Sequence, residues 1–283
     1  ISDQSTAEDV ALTLMLSSTD IDGDALTYSA VSGSPQNVSV SVTEDELTLT
    51  PSLNYNGSVE ISVTVTDGEL TDTKTFTLTM TPVNDAPVLM SIGDRSTLED
   101  TPASLALLSE DVDGDGLTFS AESSDPLVVA TDITGTLLSI IPSSDYHGSV
   151  LITVTVSDGF LTDSETFTVT IIPVNDAPTA EDVSLSPSVP LATDDLVLSY
   201  EYNDVDGDSE VGTLIHWYRN TILQDSYTNQ LTVPSTVTVC DEAWVAEVTP
   251  SDGEASGLVY TSNSVTICGA DSPPEWSEIP DQY

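Results

Sequence analysis

The stretch VEISVTVTDGELTDTKTFTLTM, residues 59–80, decides the fold class. Every second residue of 61–65 and of 76–80 is apolar, and the residues between them are Ser or Thr. The two runs are separated by a segment that begins with Asp67-Gly68, which is a strong signal for a β-hairpin. A period of two places the apolar side chains on one face of a strand, so the stretch predicts a half-buried hairpin.

Shorter alternating runs, such as Leu12 to Leu16 and Leu47 to Leu49, extend this pattern through the chain. Val, Ile and Thr dominate these runs, and they suit pleated, half-buried surfaces. Turn residues separate about seven short strands in roughly 90 residues, which is typical of a two-sheet β-sandwich. The sequence therefore predicts an all-β fold made of seven-stranded antiparallel Greek-key sandwiches.

The chain repeats itself with a period of 91 residues. When residues 1–87 are aligned with 92–178 without a gap, 47 of the 87 positions are identical. The segment Pro-Val-Asn-Asp-Ala-Pro closes both repeats, at 82–87 and 173–178. Internal similarity of this kind indicates tandem modules.

The predicted modules are 1–87, 88–178 and a more distant third, 179–272, followed by 273–283 as a linker and the first strand of another module. Together they predict an elongated rod cut from a longer repetitive polypeptide. Residues 279–282, Ile-Pro-Asp-Gln, resemble the module start at 1–4. Such an incomplete segment could add a strand to the sheet of a neighbouring subunit.

The third module carries the two cysteines of the chain and two of its three tryptophans. Trp217 and Trp244 lie in strand-like runs and are predicted to be core residues. Cys240 and Cys268 flank a predicted hairpin, and an even count in an extracellular β-module favours a disulfide. Two buried free thiols are the alternative.

The charge is strongly one-sided: 48 acidic residues stand against three basic ones, for a formal net charge of −45. Nucleic-acid binding needs a Lys/Arg footprint, and so does adhesion to an anionic membrane surface. Both are excluded, and cations are the expected partners. A surface this acidic also suggests a marine or saline habitat.

The run Asp-x-Asp-Gly-Asp occurs three times, starting at Asp20, Asp111 and Asp204. Carboxylates at alternate positions of a Gly-containing loop can converge on a hard cation, and Ca²⁺ accepts six to eight oxygens in flexible geometry. A polar loop that merely uses Asp and Gly for turn geometry is the alternative. Recurrence at one place in each module favours Ca²⁺.

The Asp-x-Asp-Gly-Asp loop, the later Asp-Gly turn and the PVNDAP linker resemble bacterial cadherin-like tandem repeats of the dystroglycan type. The resemblance covers 1–178, whereas 179–272 looks more like an Ig-like or PKD-like repeat. It implies cadherin-like and Ig-like sandwiches with Ca²⁺ bound where one module meets the next. Ligands would come from an early acid, a late-turn acid, the linker Asn-Asp and the loop of the following module.

Carried onto this chain, the resemblance implies three groups of ligands. The first junction would use Glu8, Asp67, Asn84, Asp85, Asp111, Asp113 and Asp115. The second would use Glu99, Asp158, Asn175, Asp176, Asp204, Asp206 and Asp208. Asp20, Asp22 and Asp24 would face a preceding module, and Asp252 is a lesser candidate.

No catalytic constellation is visible, so the chain is predicted not to be an enzyme. Of its two histidines, His147 stands where the sister repeat has Asn56. The favoured function is a Ca²⁺-rigidified structural or adhesive segment of a large extracellular or cell-surface protein or fibre, with neighbouring modules as partners. Alternatives are a ligand- or carbohydrate-binding module of a secreted enzyme, self-association, including homophilic recognition between rods, and binding of cell-surface glycans or proteins.

Overall fold

A computed structural model describes residues 1–268, and they form an all-β fold. The described residues contain no α-helix, only 3₁₀ turns at Asp225–Tyr227 and Ser235–Val237. They form two compact units. One comprises Ile1–Arg95, Ala103–Ile140 and Val150–Val169; the other comprises Ser96–Pro102, Ile141–Ser149 and the described residues from Thr170 on. The 273–283 strand predicted for a following module lies outside the described residues.

The first repeat is a two-sheet sandwich of seven strands. They are β1 (Gln4–Ala7), β2 (Leu12–Met15), β3 (Thr27–Ser32), β4 (Val38–Thr43), β5 (Glu46–Pro51), β6 (Gly57–Thr66) and β7 (Thr71–Thr81). One sheet has the order β1-β7-β6-β3 and the other β2-β5-β4. β6 and β7 form the hairpin predicted from 59–80. Their inward side chains, such as Ile61 and Leu78, are fully buried in the core between the sheets.

One pairing differs from the predicted antiparallel arrangement. β1 runs parallel to β7, with Gln4 opposite Leu78. The first strand therefore completes the sheet edge beside the last strand instead of extending the second sheet. This places Glu8, just after β1, beside the end of β7, where its backbone N–H donates to the Thr81 carbonyl over 3.0 Å.

The second repeat has the same succession of strands with two short additions. Its strands are β8 (Val88–Leu89), β9 (Arg95–Leu98), β10 (Ala103–Ala106), β11 (Ser109–Glu110), β12 (Thr118–Ser123), β13 (Val129–Thr134), β14 (Leu137–Pro142), β15 (Gly148–Ser157) and β16 (Thr162–Ile172). β12 pairs with β15 in the same register as β3 with β6, since Thr118 faces Ser157 as Thr27 faces Thr66.

The third sandwich consists of β17 (Thr179–Ser186), β18 (Leu196–Asn203), β19 (Leu214–Arg219), β20 (Ile222–Leu223), β21 (Thr232–Val233), β22 (Ala243–Thr249), β23 (Tyr260–Thr261) and β24 (Val265–Thr266). Its sheets have the orders β17-β18-β21 and β20-β19-β22-β23, and β24 also pairs with β22. As predicted, Trp217 and Trp244 lie in the core, 0% and 1% exposed. Their rings meet edge to face, with centroids 6.4 Å apart.

Cys240 and Cys268 are joined by a disulfide, with Cα atoms 4.9 Å apart and a sequence separation of 28. Such a bond stabilises mainly by restricting the unfolded chain. Replacing both cysteines by serine is expected to lower the free energy of unfolding of the third sandwich by about 3.5 kcal/mol, from the loop length. Urea denaturation with and without reductant measures this. The first two repeats contain no cysteine, and a reductant effect on their transition would contradict the assignment.

Candidate metal centre

The linker that follows the first repeat is held by acidic side chains through its backbone. Val83 N–H donates to Glu8 Oε1 over 2.6 Å, and Asp85 N–H donates to Asp113 Oδ2 over 2.8 Å. Glu8 is 3% exposed although it carries a carboxylate. Asn84 donates from its side-chain amide to Asp158 Oδ2 over 2.8 Å. Segments far apart in sequence therefore converge on residues 83–85.

The Asp-x-Asp-Gly-Asp loop of the second repeat folds around its first carboxylate. Asp111 Oδ1 accepts the backbone N–H groups of Asp113 and Asp115, at 3.0 and 3.2 Å. Gly114 has φ +77°, a conformation that is costly for residues with a Cβ. The loop brings the three carboxylates together: one oxygen each of Asp111, Asp113 and Asp115 lie within 4.8 Å of one another. Asp204, Asp206 and Asp208 form the same cluster in the third sandwich.

Carboxylates of the first junction crowd together, and two of their buried oxygens receive no hydrogen bond. Oxygens of Glu8, Asp85 and Asp113 lie within 4.8 Å of one another. Asp85 Oδ2 and Asp111 Oδ2 are buried and have no hydrogen-bond partner. Burial, with the nearby charge of Asp113, raises the pKa of the Asp85 carboxyl. Buried unpaired anions are costly, and a bound cation satisfies them.

The second junction repeats this arrangement with its own residues. Val174 N–H donates to Glu99 Oε1, and Asp176 N–H donates to Asp206 Oδ2 over 2.7 Å. Oxygens of Glu99, Asp176 and Asp206 lie within 4.8 Å of one another. Glu99 Oε2 and Asp176 Oδ2 are buried without a hydrogen-bond partner. Burial raises the pKa of the Asp176 carboxyl, and the neighbouring acids add to the effect.

The late-turn acid comes from the following module, which corrects the predicted assignment. Asp158 was expected at the second junction, but it accepts a hydrogen bond from Asn84 at the first. At the second junction the late-turn acid is Asp252, whose Oδ2 accepts from Asn175 Nδ2 over 3.0 Å. The pKa of Asp158 is held below its usual range chiefly by the Asn84 amide. Asp67, expected at the first junction, lies elsewhere.

The register of the sheet explains the correction. Thr27, which begins β3, faces Thr66, which ends β6. The loop at 20–24 and the turn at 67–70 therefore lie at the same end of the first sandwich, whereas the linker leaves from the other end. Asp67 thus groups with Asp20, and both line a single cavity of about 230 Å³.

The loop at 20–24 has the same backbone hydrogen bonds as the loops at 111–115 and 204–208, but its carboxylates lie farther apart. Asp20 Oδ1 accepts the backbone N–H groups of Asp22, Gly23 and Asp24 at 2.9 to 3.1 Å. Within residues 1–268 these three carboxylates do not form a cluster of the kind found at 111–115 and 204–208. Asp22 and Asp24 are exposed. Their predicted role toward a preceding module stays a prediction.

Sequence reasoning missed two carboxylates at the second junction. Asp100, Asp145 and Asp176 also place oxygens within 4.8 Å of one another. Asp145 N–H donates to Asp100 Oδ1 over 3.2 Å, as Asn54 N–H does to Asp9 Oδ1 over 2.8 Å in the first repeat. The Glu-Asp pairs at 8–9 and 99–100 were a visible signal. No sequence signal pointed to Asn54 or Asp145, because each lies 45 positions after the aspartate that it contacts.

Both junctions fit a hard, oxygen-preferring cation. The clustered donors are carboxylates, and Ca²⁺ takes such ligands mono- or bidentately in flexible geometry. Residues able to hold it at the first junction are Glu8, Asn84, Asp85, Asp111, Asp113, Asp115 and Asp158. Those at the second are Glu99, Asp100, Asp145, Asn175, Asp176, Asp204, Asp206, Asp208 and Asp252.

Comparison with known families agrees with this architecture. The family described as Bacterial Ig domain matches residues 1–79 and 84–171. The chain belongs to the bacterial Ig domain family. No curated protein matches the sequence. Within residues 1–268 there is no helix with the length and hydrophobicity that crossing a bilayer requires.

Solved structures resemble these bacterial Ig repeats at low identity. The extracellular cadherin domains 1–5 of protocadherin gamma B2 align at 17% identity and a TM-score of 0.46, over 94% of this chain and 58% of that one. An I-band fragment of titin aligns at 10% identity and a TM-score of 0.37, over 94% of both. An endo-fucoidan hydrolase of glycoside hydrolase family 107 aligns at 16% identity and a TM-score of 0.30.

The alignment with the hydrolase covers 93% of this chain but only 42% of the hydrolase, so this chain spans less than half of that protein. All three TM-scores lie below 0.5, so these structures carry no information on the function of this chain. The recognised family is the bacterial Ig domain, and the strands of the described residues form two-sheet sandwiches. The narrower dystroglycan-type and PKD-like resemblances remain predictions.

The raised pKa of Asp85 in this bacterial Ig repeat predicts how the stability of the fold depends on pH. A carboxyl whose folded pKa is raised binds its proton more tightly when folded, so stability falls as pH rises from about 4 through the folded value. In cation-free buffer at pH 7, Asp85→Asn should therefore raise the melting temperature by a few degrees. With Ca²⁺ present the same change should weaken binding. Asp22→Asn, in an exposed loop, is the control; equal effects of both substitutions in EDTA would contradict the prediction.

Proposed function

We propose that the two linker junctions bind Ca²⁺ and that the repeats form a structural or adhesive segment of an extracellular or cell-surface protein. One observation carries the proposal. Buried carboxylate oxygens without hydrogen-bond donors recur at both junctions, on Asp85 and Asp111 at the first and on Glu99 and Asp176 at the second. At each junction the linker also contacts the loop of the following module, through Asp85 N–H to Asp113 at the first and Asp176 N–H to Asp206 at the second.

The chain has almost no cationic side chains of its own to neutralise these clusters. Lys74 pairs with Asp72 at 3.6 Å and Arg219 with Glu242 at 3.3 Å. Arg95 donates to the Asp94 carbonyl. Two carboxylates about 4 Å apart repel by about 4 kcal/mol at an effective dielectric near 20. Neutralising charge must therefore come from solution.

Ca²⁺ is the cation that the donor set favours. Mg²⁺ demands near-octahedral geometry and retains several waters, whereas Ca²⁺ accepts many carboxylate and carbonyl oxygens. When bound, the ion would neutralise the negative charges of Glu8, Asp85 and Asp113. Extracellular modules bind Ca²⁺ with dissociation constants of about 0.1 to 1 mM, which suits Ca²⁺-rich surroundings.

Fixing the linker to the next module would limit the hinge between modules and stiffen the repeat. That is a mechanical role, suited to a spacer, an adhesive stalk or a fibre subunit, and the resemblance to bacterial cadherin-like repeats supports it. The Ig-like fold is typically non-catalytic. Binding of glycans or proteins, self-association through 273–283 and a saline habitat remain predictions, as does the alternative of an accessory module in a secreted enzyme.

Asp158→Asn tests the proposal at the first junction. The change removes an anion from the linker contact with Asn84, so Ca²⁺ affinity there should fall about tenfold or more, equivalent to about 1.4 kcal/mol. Isothermal titration calorimetry measures both junctions at once, and the second should be unchanged.

The chain offers a matched control in Asp67→Asn. Asp67 Oδ1 accepts the N–H groups of Glu69 and Leu70, as Asp158 Oδ1 accepts those of Phe160 and Leu161. The local turn is the same, and only the contact with a linker differs. Equal losses in both variants, or no Ca²⁺ binding by the unmodified chain, would refute the proposal.

A further inference from the structure

The linker after the first repeat ends in a short strand that packs on the second sandwich. This strand, β8, pairs with β11. Leu89 on β8 is 8% exposed, and the N–H of Met90 donates to the Leu108 carbonyl over 2.9 Å. The segment therefore covers the second sandwich with a buried apolar side chain and with backbone hydrogen bonds, as an added strand does.

Two acids of β16 hold the same segment. Asp163 Oδ2 accepts the Leu89 N–H over 2.8 Å, and Glu165 Oε2 accepts the Ile92 N–H over 2.9 Å. Glu165 Oε1 also accepts the hydroxyl of Ser91 over 3.1 Å. Two of these three contacts use backbone N–H groups, so an extended segment of another sequence can make them if it has an apolar residue at the position of Leu89.

The first repeat has a groove at the same place, 91 positions earlier in sequence, with a volume of about 520 Å³. Val65 in this groove is half-buried, whereas its counterpart Val156 in the second repeat is fully buried. Asp72 stands where the second repeat has Asp163, so the acceptor for a backbone N–H is kept. The groove thus offers an apolar floor and a carboxylate to an extended segment. Its lining includes Leu14, Leu16, Tyr28, Val63, Asp72 and Lys74.

The two grooves differ in charge at one position. Lys74, the single lysine of the chain, stands in the first repeat where the second has Glu165. Its side chain is 67% exposed, and its Nζ lies 3.6 Å from Asp72 Oδ2. Charge complementarity therefore favours an incoming segment that carries an acid at the position of Ser91.

Residues 274–281 lie outside the described residues, and their sequence has the features that this groove requires. They read Pro-Glu-Trp-Ser-Glu-Ile-Pro-Asp, and alignment with Pro-Val-Leu-Met-Ser-Ile-Gly-Asp at 87–94 matches the Pro, the Ile and the Asp. In this register Trp276 corresponds to Leu89, and Glu278 corresponds to Ser91. The segment would therefore present a large apolar side chain to the floor and an acid to the lysine.

We propose that the groove of the first repeat binds residues 274–278 of a second copy of this chain as an added strand, with Trp276 on the apolar floor and Glu278 beside Lys74. Ile279 then exchanges with Ile1, which is 52% exposed. Groove and segment are different surfaces of one chain, so the contact is heterologous and copies join head to tail. The inference is independent of the proposed Ca²⁺ sites, since among the described residues the groove lining contains none of the junction carboxylates.

Cross-linking identifies the contact, because a carbodiimide joins the Lys74 amine only to a carboxylate that touches it. We mix isotope-labelled and unlabelled chains in about 0.15 M NaCl, where repulsion between the acidic copies is screened beyond about 8 Å. We expect a Lys74–Glu278 product that combines one labelled and one unlabelled chain. The contact of Lys74 with Asp72 should give an unmixed product and is the positive control. A Lys74–Glu278 product that is absent, or found only within one chain, would overturn the inference.

Sedimentation equilibrium of the full chain measures the strength of association. Trp276→Ala should weaken it about tenfold or more, because a buried Trp is a frequent hot spot. Lys74→Glu should weaken it at least about threefold, and adding Glu278→Lys should restore it. Arg95→Glu changes the net charge equally outside the groove lining and is the matched control. A unmodified chain that stays monomeric, or equal effects of Lys74→Glu and Arg95→Glu, would refute the proposed contact.

Discussion

Removing divalent cations with EDTA is expected to lower the melting temperature of the chain and to loosen both linkers. The reason is electrostatic: each junction buries two carboxylate oxygens that lack donors, and within residues 1–268 no Lys or Arg side chain pairs with these carboxylates. A ligand at 100 times its dissociation constant stabilises the folded state by about 2.7 kcal/mol per site. Two occupied junctions would contribute about 5 kcal/mol, which is comparable with the whole stability of a domain.

Three measurements check this expectation. Calorimetric melts in Ca²⁺, in Mg²⁺ and in EDTA should rank in that order of stability. Hydrogen exchange at the amides of Val83 and Val174 should accelerate in EDTA, because these amides donate to Glu8 and Glu99 beside the clusters. Small-angle scattering should show a wider range of dimensions without Ca²⁺.

The control is the double variant Asp113→Asn, Asp206→Asn. It removes the loop carboxylate that accepts the linker N–H at each junction, so Ca²⁺ and EDTA should then give nearly the same melt. Chelation that leaves melting, exchange and scattering dimensions of the unmodified chain unchanged would reduce the repeats to a series of sandwiches without cation-dependent linkers.

Trp217→Ala is expected to destabilise the third sandwich by about 3 to 5 kcal/mol, as do other truncations of large buried aromatic side chains. Trp217 is fully buried, it packs edge to face on Trp244, and its Nε1 donates to the Gln230 carbonyl over 2.8 Å. The substitution leaves a cavity between the two sheets and an unpaired carbonyl. Against a total of about 5 to 15 kcal/mol, this loss is a large part of the stability of the sandwich.

Trp217→Phe separates packing from hydrogen bonding. The ring remains, so only the loss of the bond to Gln230 and a smaller volume are felt, and the cost should be about 1 to 2 kcal/mol. Urea denaturation followed by far-UV circular dichroism measures both variants. Ca²⁺ binding at the first junction should persist in each, because its residues belong to the other compact unit. A loss below about 1 kcal/mol in Trp217→Ala would mean that the core does not depend on this ring.

The strands of the fold follow from local patterns that the sequence shows directly. Alternation in 59–80 specifies a hairpin with one buried face, and β6 and β7 have that register. The 91-residue repeat and the Asp-x-Asp-Gly-Asp loops likewise indicate where carboxylates gather, because a loop closed by Asp111 around its own backbone needs only neighbouring residues.

Which acids meet at a junction is decided by tertiary structure alone. Asn84 binds Asp158, 74 residues away, and not Asp67, which lies 17 positions before it in the sequence. The register of β3 on β6 puts Asp67 at the far end of its own sandwich, and no local pattern encodes that end. Asp145 was hidden for the same reason. Alternation and turn chemistry act between neighbouring residues, whereas a metal site needs oxygens brought together by sheet register and by the linker between two sandwiches.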